Sequence, residues 1–405
     1  MVIDFHTTLL NNYFKPTKMN RIFFISFCFL LLLNSCKKNT QEEQKTEIVD
    51  ISTSTMNTIY IGTYTKKEGH VDGQAEGIYT VYQKPDTGAL EMGKTVANVV
   101  NPSFVKTSAN YKNLYAVSEL GPGDGPSGLI YSYKINEDHS LEQIGSISTE
   151  SYAPCYIAED KSGEFIFVAN YVGGVVMMYE KNADGSLKKL QKISLQYPER
   201  SNPHSVNISS NNKYVYITDL GNDRIWIFNL DVNAKSLKPN ETPYVQITEG
   251  SGPRHFAFSK RNNYAYTINE LNGSISAFKI EQDGSLAHLE DISSLPEDFK
   301  GENSAADIHI HPSGNFLYVS NRGHNSVGSF KIDQKTGILE NIGFTNTKGA
   351  TPRNFAISPK GDFLYVANQD SNDLVSFKID SESGKLTNIG EKLDVMTPVC
   401  IEFLD

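Results

Sequence analysis

The stretch TPRNFAISPKGDFLYVANQDSNDLVSFKIDSESGKL, residues 351–386, decides the fold. Short apolar runs alternate with polar positions and are broken by Gly, Asn, Asp and Ser, the pattern of strands joined in hairpins and not of a helix. A relative, NPHSVNISSNNKYVYITDLGNDRIWIFNLDVNAKSL, fills residues 202–237. Following the closing turn, variants of D-G-x-L, along the chain places a leucine at Leu90, Leu141, Leu187, Leu237, Leu286, Leu339 and Leu386. Units of about fifty residues with four strands each and no helical period indicate an all-β propeller. Seven marks indicate seven blades of four antiparallel strands. The first unit, from Thr58, lacks an inner strand that starts with proline, while the chain ends on a spare one, TPVCIEFLD. That last strand is expected to complete the first blade and close the ring, with Cys400 in a packed inner strand.

With 405 residues, 39% of them hydrophobic, the chain can bury the large core such a ring needs. Tyr and Phe, 21 each, beside 30 Gly, fit many short strands and turns. The formal net charge of -10 and the lack of a basic cluster in the body of the chain argue against nucleic acid as a partner.

The N-terminus reads differently. In MNRIFFISFCFLLLLNSC, residues 19–36, Arg21 precedes an apolar run over residues 22–33, then small residues lead to Cys36. The run is too short to span a bilayer as an ordinary helix and reads as an export signal. Leu33-Asn34-Ser35-Cys36 resembles the lipobox of bacterial lipoproteins, in which the cysteine is acylated and becomes the first residue. Met19 is then the expected start. Residues 1–36 are thus assigned to a signal peptide, 37–56 to a flexible tether and 57–405 to the propeller. The expected product is exported, lipid-anchored in the cell envelope facing the periplasm, and monomeric. Cys155 and Cys400 remain in the folded part and read as buried free thiols.

Aligning the units exposes two registers. Just after the recurrent proline stand Ser103, Cys155, His204, Arg254, Ala306, Arg353 and Val399, the unit with Ala306 having alanine for proline. Four residues after a recurrent Tyr or Phe stand Tyr64, Glu119, Tyr171, Leu220, Glu270, Arg322 and Gln369. The start of one antiparallel strand and the end of the next share a sheet edge, so both registers face one mouth of the channel. The shared template explains the proline and the tyrosine. It does not explain His204, Arg254, Glu270 and Arg322, expected in the third, fourth and fifth blades within reach of one small ligand. Two guanidiniums and a carboxylate in a partly dry site are costly unless paired. An Arg-Glu-Arg network that only ties blades together is the competing reading.

At these residues, most densely in GPRHFAFSKRNNYAYTINEL (residues 252–271) and AADIHIHPSGNFLYVSNR (residues 305–322), the chain resembles the seven-bladed propeller lactonases typified by bacterial 6-phosphogluconolactonase, with a muconate-lactonizing cycloisomerase as a cousin. The resemblance runs from about Thr58 to the C-terminus. It implies an active site of histidine, arginine, glutamate and arginine, which fall on His204, Arg254, Glu270 and Arg322. The implied reaction is opening of a sugar δ-lactone to the aldonate, with Glu270 as general base, Arg254 or Arg322 holding the oxyanion and any anionic substrate group, and His204 as general acid. An export signal sits poorly with a phosphorylated lactone made in the cytosol, so the expectation is for the reaction type and leaves the lactone open.

Glu119, Arg353 and His309 are second-rank candidates for lining the substrate site. His309, His311 and Asp307 lie two apart on one strand face and could hold a metal, but bonding between neighbouring blades is the favoured reading, and no metal or cofactor is called for. The glycines of GPGDGPSG, residues 121–128, lack the strand-to-helix setting of a phosphate loop and read as a long hairpin at the rim. The alternatives to a hydrolase are a non-enzymatic propeller that binds a ligand or protein, and a cycloisomerase acting on a carboxylated lactone.

Overall fold

The computed structural model describes residues 56–404. The export signal, the Met19 start, Cys36 and all but the last residue of the tether lie outside the described residues. Among the described residues no helix is long and apolar enough to cross a membrane.

Seven four-stranded antiparallel sheets form the blades of a propeller. In the first, the strands run Pro398–Phe403, Asn57–Thr63, Ile78–Gln83 and Leu90–Ala97, so the C-terminal strand is the inner strand of the N-terminal blade. Ile59 pairs with Phe403 and Ile61 with Ile401. Every other blade uses consecutive strands. Counting from the blade that joins Asn57–Thr63 to Pro398–Phe403 moves the expected positions by one: His204 lies in the fourth blade, Arg254 and Glu270 in the fifth and Arg322 in the sixth. The sequence count began one unit late, but the three blades are successive as expected.

The recurrent tyrosine has a physical task. From the second strand of one blade its hydroxyl donates to a carbonyl in the leucine-bearing turn of the next: Tyr115 to Gly185, Tyr216 to Gly284, Tyr266 to Gly337 and Tyr318 to Gly384. Those glycines have φ between 71° and 89°, a left-handed turn that glycine adopts without a Cβ penalty. Each tyrosine is fully buried, so its hydroxyl needs such a partner. Apolar residues fill the space between blades, as where Phe165, Phe167 and Met178 of the third meet Val206, Ile217 and Trp226 of the fourth. Cys155 and Cys400 are buried free thiols.

The inner strands share an irregularity that positions the site. Between Pro203 and Ser205, Pro253 and His255, and Pro352 and Asn354 the pairing register shifts, leaving His204, Arg254 and Arg353 as the extra residue of a β-bulge. In the sixth blade two residues, Ala306 and Asp307, fall between the paired Ala305 and Ile308. A bulge turns successive side chains toward the same side. In the fifth and seventh blades the bulged side chain and its successor, Arg254 with His255 and Arg353 with Asn354, both line the channel.

Candidate active site

The second strands end at the same mouth where the bulges begin the first strands. A cavity of about 400 Å³ opens there, walled by Glu119, Tyr171, His204, Glu270, Arg322 and Arg353, with Cys155, Glu68 and His70 also lining it. Arg254 lies beneath, 2% exposed. It lines the narrow waist of the channel together with Glu119, His204, His255 and Arg353.

Glu270 is the centre of the charge arrangement. Its Oε1 is 3.0 Å from Arg322 Nη2 and its Oε2 is 2.9 Å from Arg254 Nε. The Arg254 contact is an ion pair whose angle is not that of a hydrogen bond, so the buried Nε–H has no protein acceptor among the described residues. Ser304 Oγ donates to Glu270 at 3.0 Å and accepts from Arg322 Nη2 at 2.7 Å. Burial alone would raise the Glu270 pKa. Arg322, Arg254 and Arg353 outweigh it and hold the carboxyl below its ordinary range. Burial also draws Arg322 down to about 10, against the pull of Glu270, which leaves it charged at neutral pH.

The sixth blade explains how two guanidiniums fit here. Where other inner strands carry proline, Ser304–Ile310 has Ala305 and Ala306, both fully buried. Its bulged backbone gives the Ser304 and Ala305 carbonyls to Arg322 and the Ala306 carbonyl to Arg254. Alanine for proline, noted in the sequence as a gap in the template, marks the strand whose carbonyls receive the arginines.

His204 is buried, and its ring meets Tyr171 and His255 edge-on. Burial, reinforced by Arg254, pushes its pKa well below 6.5, so the imidazole is neutral at pH 7. On the opposite wall Arg353 donates to the Tyr64 hydroxyl at 3.1 Å, and Tyr64 donates to Glu119 Oε2 at 2.9 Å. Ser103 donates to the same oxygen. Arg353 has no carboxylate within ion-pair distance among the described residues. Its one hydrogen bond to protein among the described residues is the one to Tyr64, and it lines the open cavity, whereas Arg254 lies beneath it.

His309 is not part of this cavity. It lies at the opposite mouth, in a second cavity of about 400 Å³ shared with Lys106, Glu159, Lys161 and Glu402. Its Nε2 is 2.9 Å from Asp307 Oδ2. Asp307 bonds Asn354 of the seventh blade and His255 of the fifth, so this cluster ties neighbouring blades. His311 bonds Ser313 and the Gly361 carbonyl. Burial alone would lower the His309 pKa, but the Asp307 carboxylate more than reverses this and lifts it above 6.5. A raised folded pKa contributes stability that is full below the unfolded value and lost as pH rises through the folded one. Because the ring is half-exposed the effect is screened. The stability gap between wild type and His309→Gln in urea should therefore be larger at about pH 6 than at about pH 9. A gap that does not change with pH would contradict the pairing.

Sequence reasoning missed the rim. Lys67–Glu68 and Val71–Asp72 form a small hairpin between the first two N-terminal strands, which brings Glu68 and His70 to the cavity. The signal was the length of the connection from Tyr64 to Ile78, far longer than that from Glu270 to Ser274. Lys66 reaches Asp124 at 2.7 Å and so joins this hairpin to the 121–128 loop, which lies at the rim as expected.

With this geometry in hand, likenesses to known proteins can be placed. Residues 58–403 match the family model described as lactonase, 7-bladed beta-propeller. A 6-phosphogluconolactonase of Formosa agariphila is 36% identical over 312 residues, 74% of this chain and 86% of that protein. One of Bacillus subtilis is 31% identical over 354 residues, 85% of this chain and 97% of that protein. A solved structure of a periplasmic gluconolactonase of Pseudomonas aeruginosa superposes with a TM-score of 0.81 at 31% identity, covering 87% of this chain and 99% of that one.

Proposed function

Because this chain belongs to the seven-bladed β-propeller lactonases, and is by that membership a lactone hydrolase, we propose that it opens a sugar δ-lactone to the aldonate with Glu270 as the base. The observation that carries this reading is a carboxylate held between two arginines at the wall of an open cavity. Water attacks the lactone carbonyl carbon as Glu270 takes its proton. Arg322 and Arg254 stabilise the oxyanion. When the tetrahedral intermediate collapses, the bond from carbon to ring oxygen breaks and the proton held by Glu270 passes to that oxygen.

This route changes the part expected of His204. An imidazole kept neutral by burial and Arg254 starts without the proton that a general acid must give. It serves here as a hydrogen-bonding wall of the site. Arg353, with donors to spare, receives a carboxylate or phosphate on the substrate, since the guanidinium fork suits planar and tetrahedral anions. A panel of aldonolactones, with and without phosphate, tests the proposal. Hydrolysis above the buffer rate by wild type supports it. Failure on every member would leave a ligand-binding propeller as the better reading, and a cyclised or isomerised product would indicate cycloisomerase chemistry.

Export and lipid anchoring through Cys36 belong to the same proposal, supported by the export-signal pattern in the sequence and by a solved relative described as periplasmic. Mass spectrometry of the mature protein should find an acylated Cys36 at its N-terminus. An intact sequence upstream of it would retire this part.

A further inference from the structure

The proposed mechanism leaves unused a line of buried polar groups that runs down the channel from Arg254. Arg254 Nη1 lies 3.4 Å from His255 Nε2. The other ring nitrogen, Nδ1, is 2.7 Å from Asp307 Oδ1. Asp307 is 2% exposed and is further held by Asn354 Nδ2 at 2.5 Å, by the Ile308 N–H at 2.9 Å and by His309 Nε2 at 2.9 Å. So many donors fix the carboxylate in place and keep it ionised. They hold its pKa well below the ordinary value although burial opposes this.

A fixed carboxylate decides which nitrogen of His255 carries the proton. Asp307 can only accept, so Nδ1 must donate, and the lone pair is left on Nε2 facing the guanidinium. Burial and the neighbouring Arg254 charge push the His255 pKa down to about 4, which keeps that lone pair available at neutral pH. Tyr156 and His204 pack edge-on against the ring from the third and fourth blades and close it off from rotation. Arg254 Nη1 is then shared between His255 and the Ala306 carbonyl, with Nε against Glu270.

We propose that His255, held in one tautomer by Asp307, is a positioning residue that orients the Arg254 guanidinium toward Glu270 and the reacting lactone. The inference rests on the lactonase reading for its consequence in catalysis, but not for its geometry. Arg254 alone has a long flexible stem, and the His255 acceptor fixes its plane. The chain Asp307, His255, Arg254 thus passes order from the floor of the channel to the mouth. It also assigns a task to Asp307 beyond tying blades.

Three variants and one spectrum test it. His255→Leu removes the acceptor and should lower kcat by about tenfold or more, since small misplacement of a catalytic group is costly, with KM little changed. His255→Gln offers an amide oxygen to the guanidinium and an N–H to Asp307, and should recover most of the loss. Asp307→Asn can donate to Nδ1, which releases the other tautomer, and should resemble His255→Leu. Nitrogen NMR of the imidazoles should show the His255 proton on Nδ1 in wild type and its movement to Nε2 in Asp307→Asn. Unchanged kcat in His255→Leu, equal losses in the Leu and Gln variants, or a wild-type proton on Nε2 would each overturn the inference. If wild type opens no lactone, the functional reading fails alone, and the tautomer in wild type and in Asp307→Asn still decides the positioning.

Discussion

Glu270→Gln is expected to lower kcat on the best lactone of the panel by about a hundred- to ten-thousandfold, the usual contribution of a positioned base. The substitution keeps the shape and an acceptor for Ser304 but removes the ability to take a proton from water. It also removes the only carboxylate paired with Arg254 and Arg322 among the described residues. Removing one partner of a buried ion pair typically costs about 3–5 kcal/mol, so the variant should also melt at a lower temperature. The two effects separate if kcat is measured well below the melting transition, on protein whose circular dichroism matches wild type. A folded variant with wild-type kcat would end the assignment of Glu270 as base. Loss of activity that tracked only the loss of folded protein would support the competing picture, in which the three charges merely tie blades together.

Arg254→Lys tests the other half of the charge arrangement and is expected to cost about a hundred- to a thousandfold in kcat, as for loss of an oxyanion donor. The charge is retained, so an effect of charge alone would be small. What lysine cannot reproduce is the planar fork that places Nε against Glu270 while Nη1 meets the Ala306 carbonyl and His255. A compact ammonium could satisfy one of these partners and leave the others unmatched. If Arg254→Lys retained near wild-type kcat, the orientation of the guanidinium would not matter, and the mechanism would need only a positive charge beneath the site.

Much of this architecture was legible in the chain because a repeat acts as its own control. The leucine of each turn and the tyrosine of all but one second strand recur for reasons of assembly, and the tyrosine straps show what those reasons are. Subtracting the shared template left His204, Arg254, Glu270 and Arg322. Two kinds of information were lost. Alternation along a strand puts neighbours on opposite faces, yet the bulge puts Arg254 and His255 on the same side, so His255 was passed over. Ranking by adjacent blades also favoured the fourth to sixth and set Glu119 and Arg353 apart. In a closed ring the seventh blade adjoins the sixth and the second faces that arc across a narrow channel, and both residues line the same cavity. His309, on the site-bearing sixth blade, is instead carried to the far mouth by its place six residues into the inner strand.

The pairing of Ile59 with Phe403 has a consequence for how the molecule is made. The strand Asn57–Thr63 leaves the ribosome before the other blades and cannot find its inner neighbour until Pro398–Phe403 has been synthesised. Closing so long a loop is entropically unfavourable and slow compared with the local hairpins of the other blades. An incomplete chain can build local blades but keeps an open seam with unpaired strand edges, the kind of surface that recruits other strands or proteases. Closure of the ring is thus contingent on Pro398–Phe403, and a chain that stops short of that strand cannot seal the first blade.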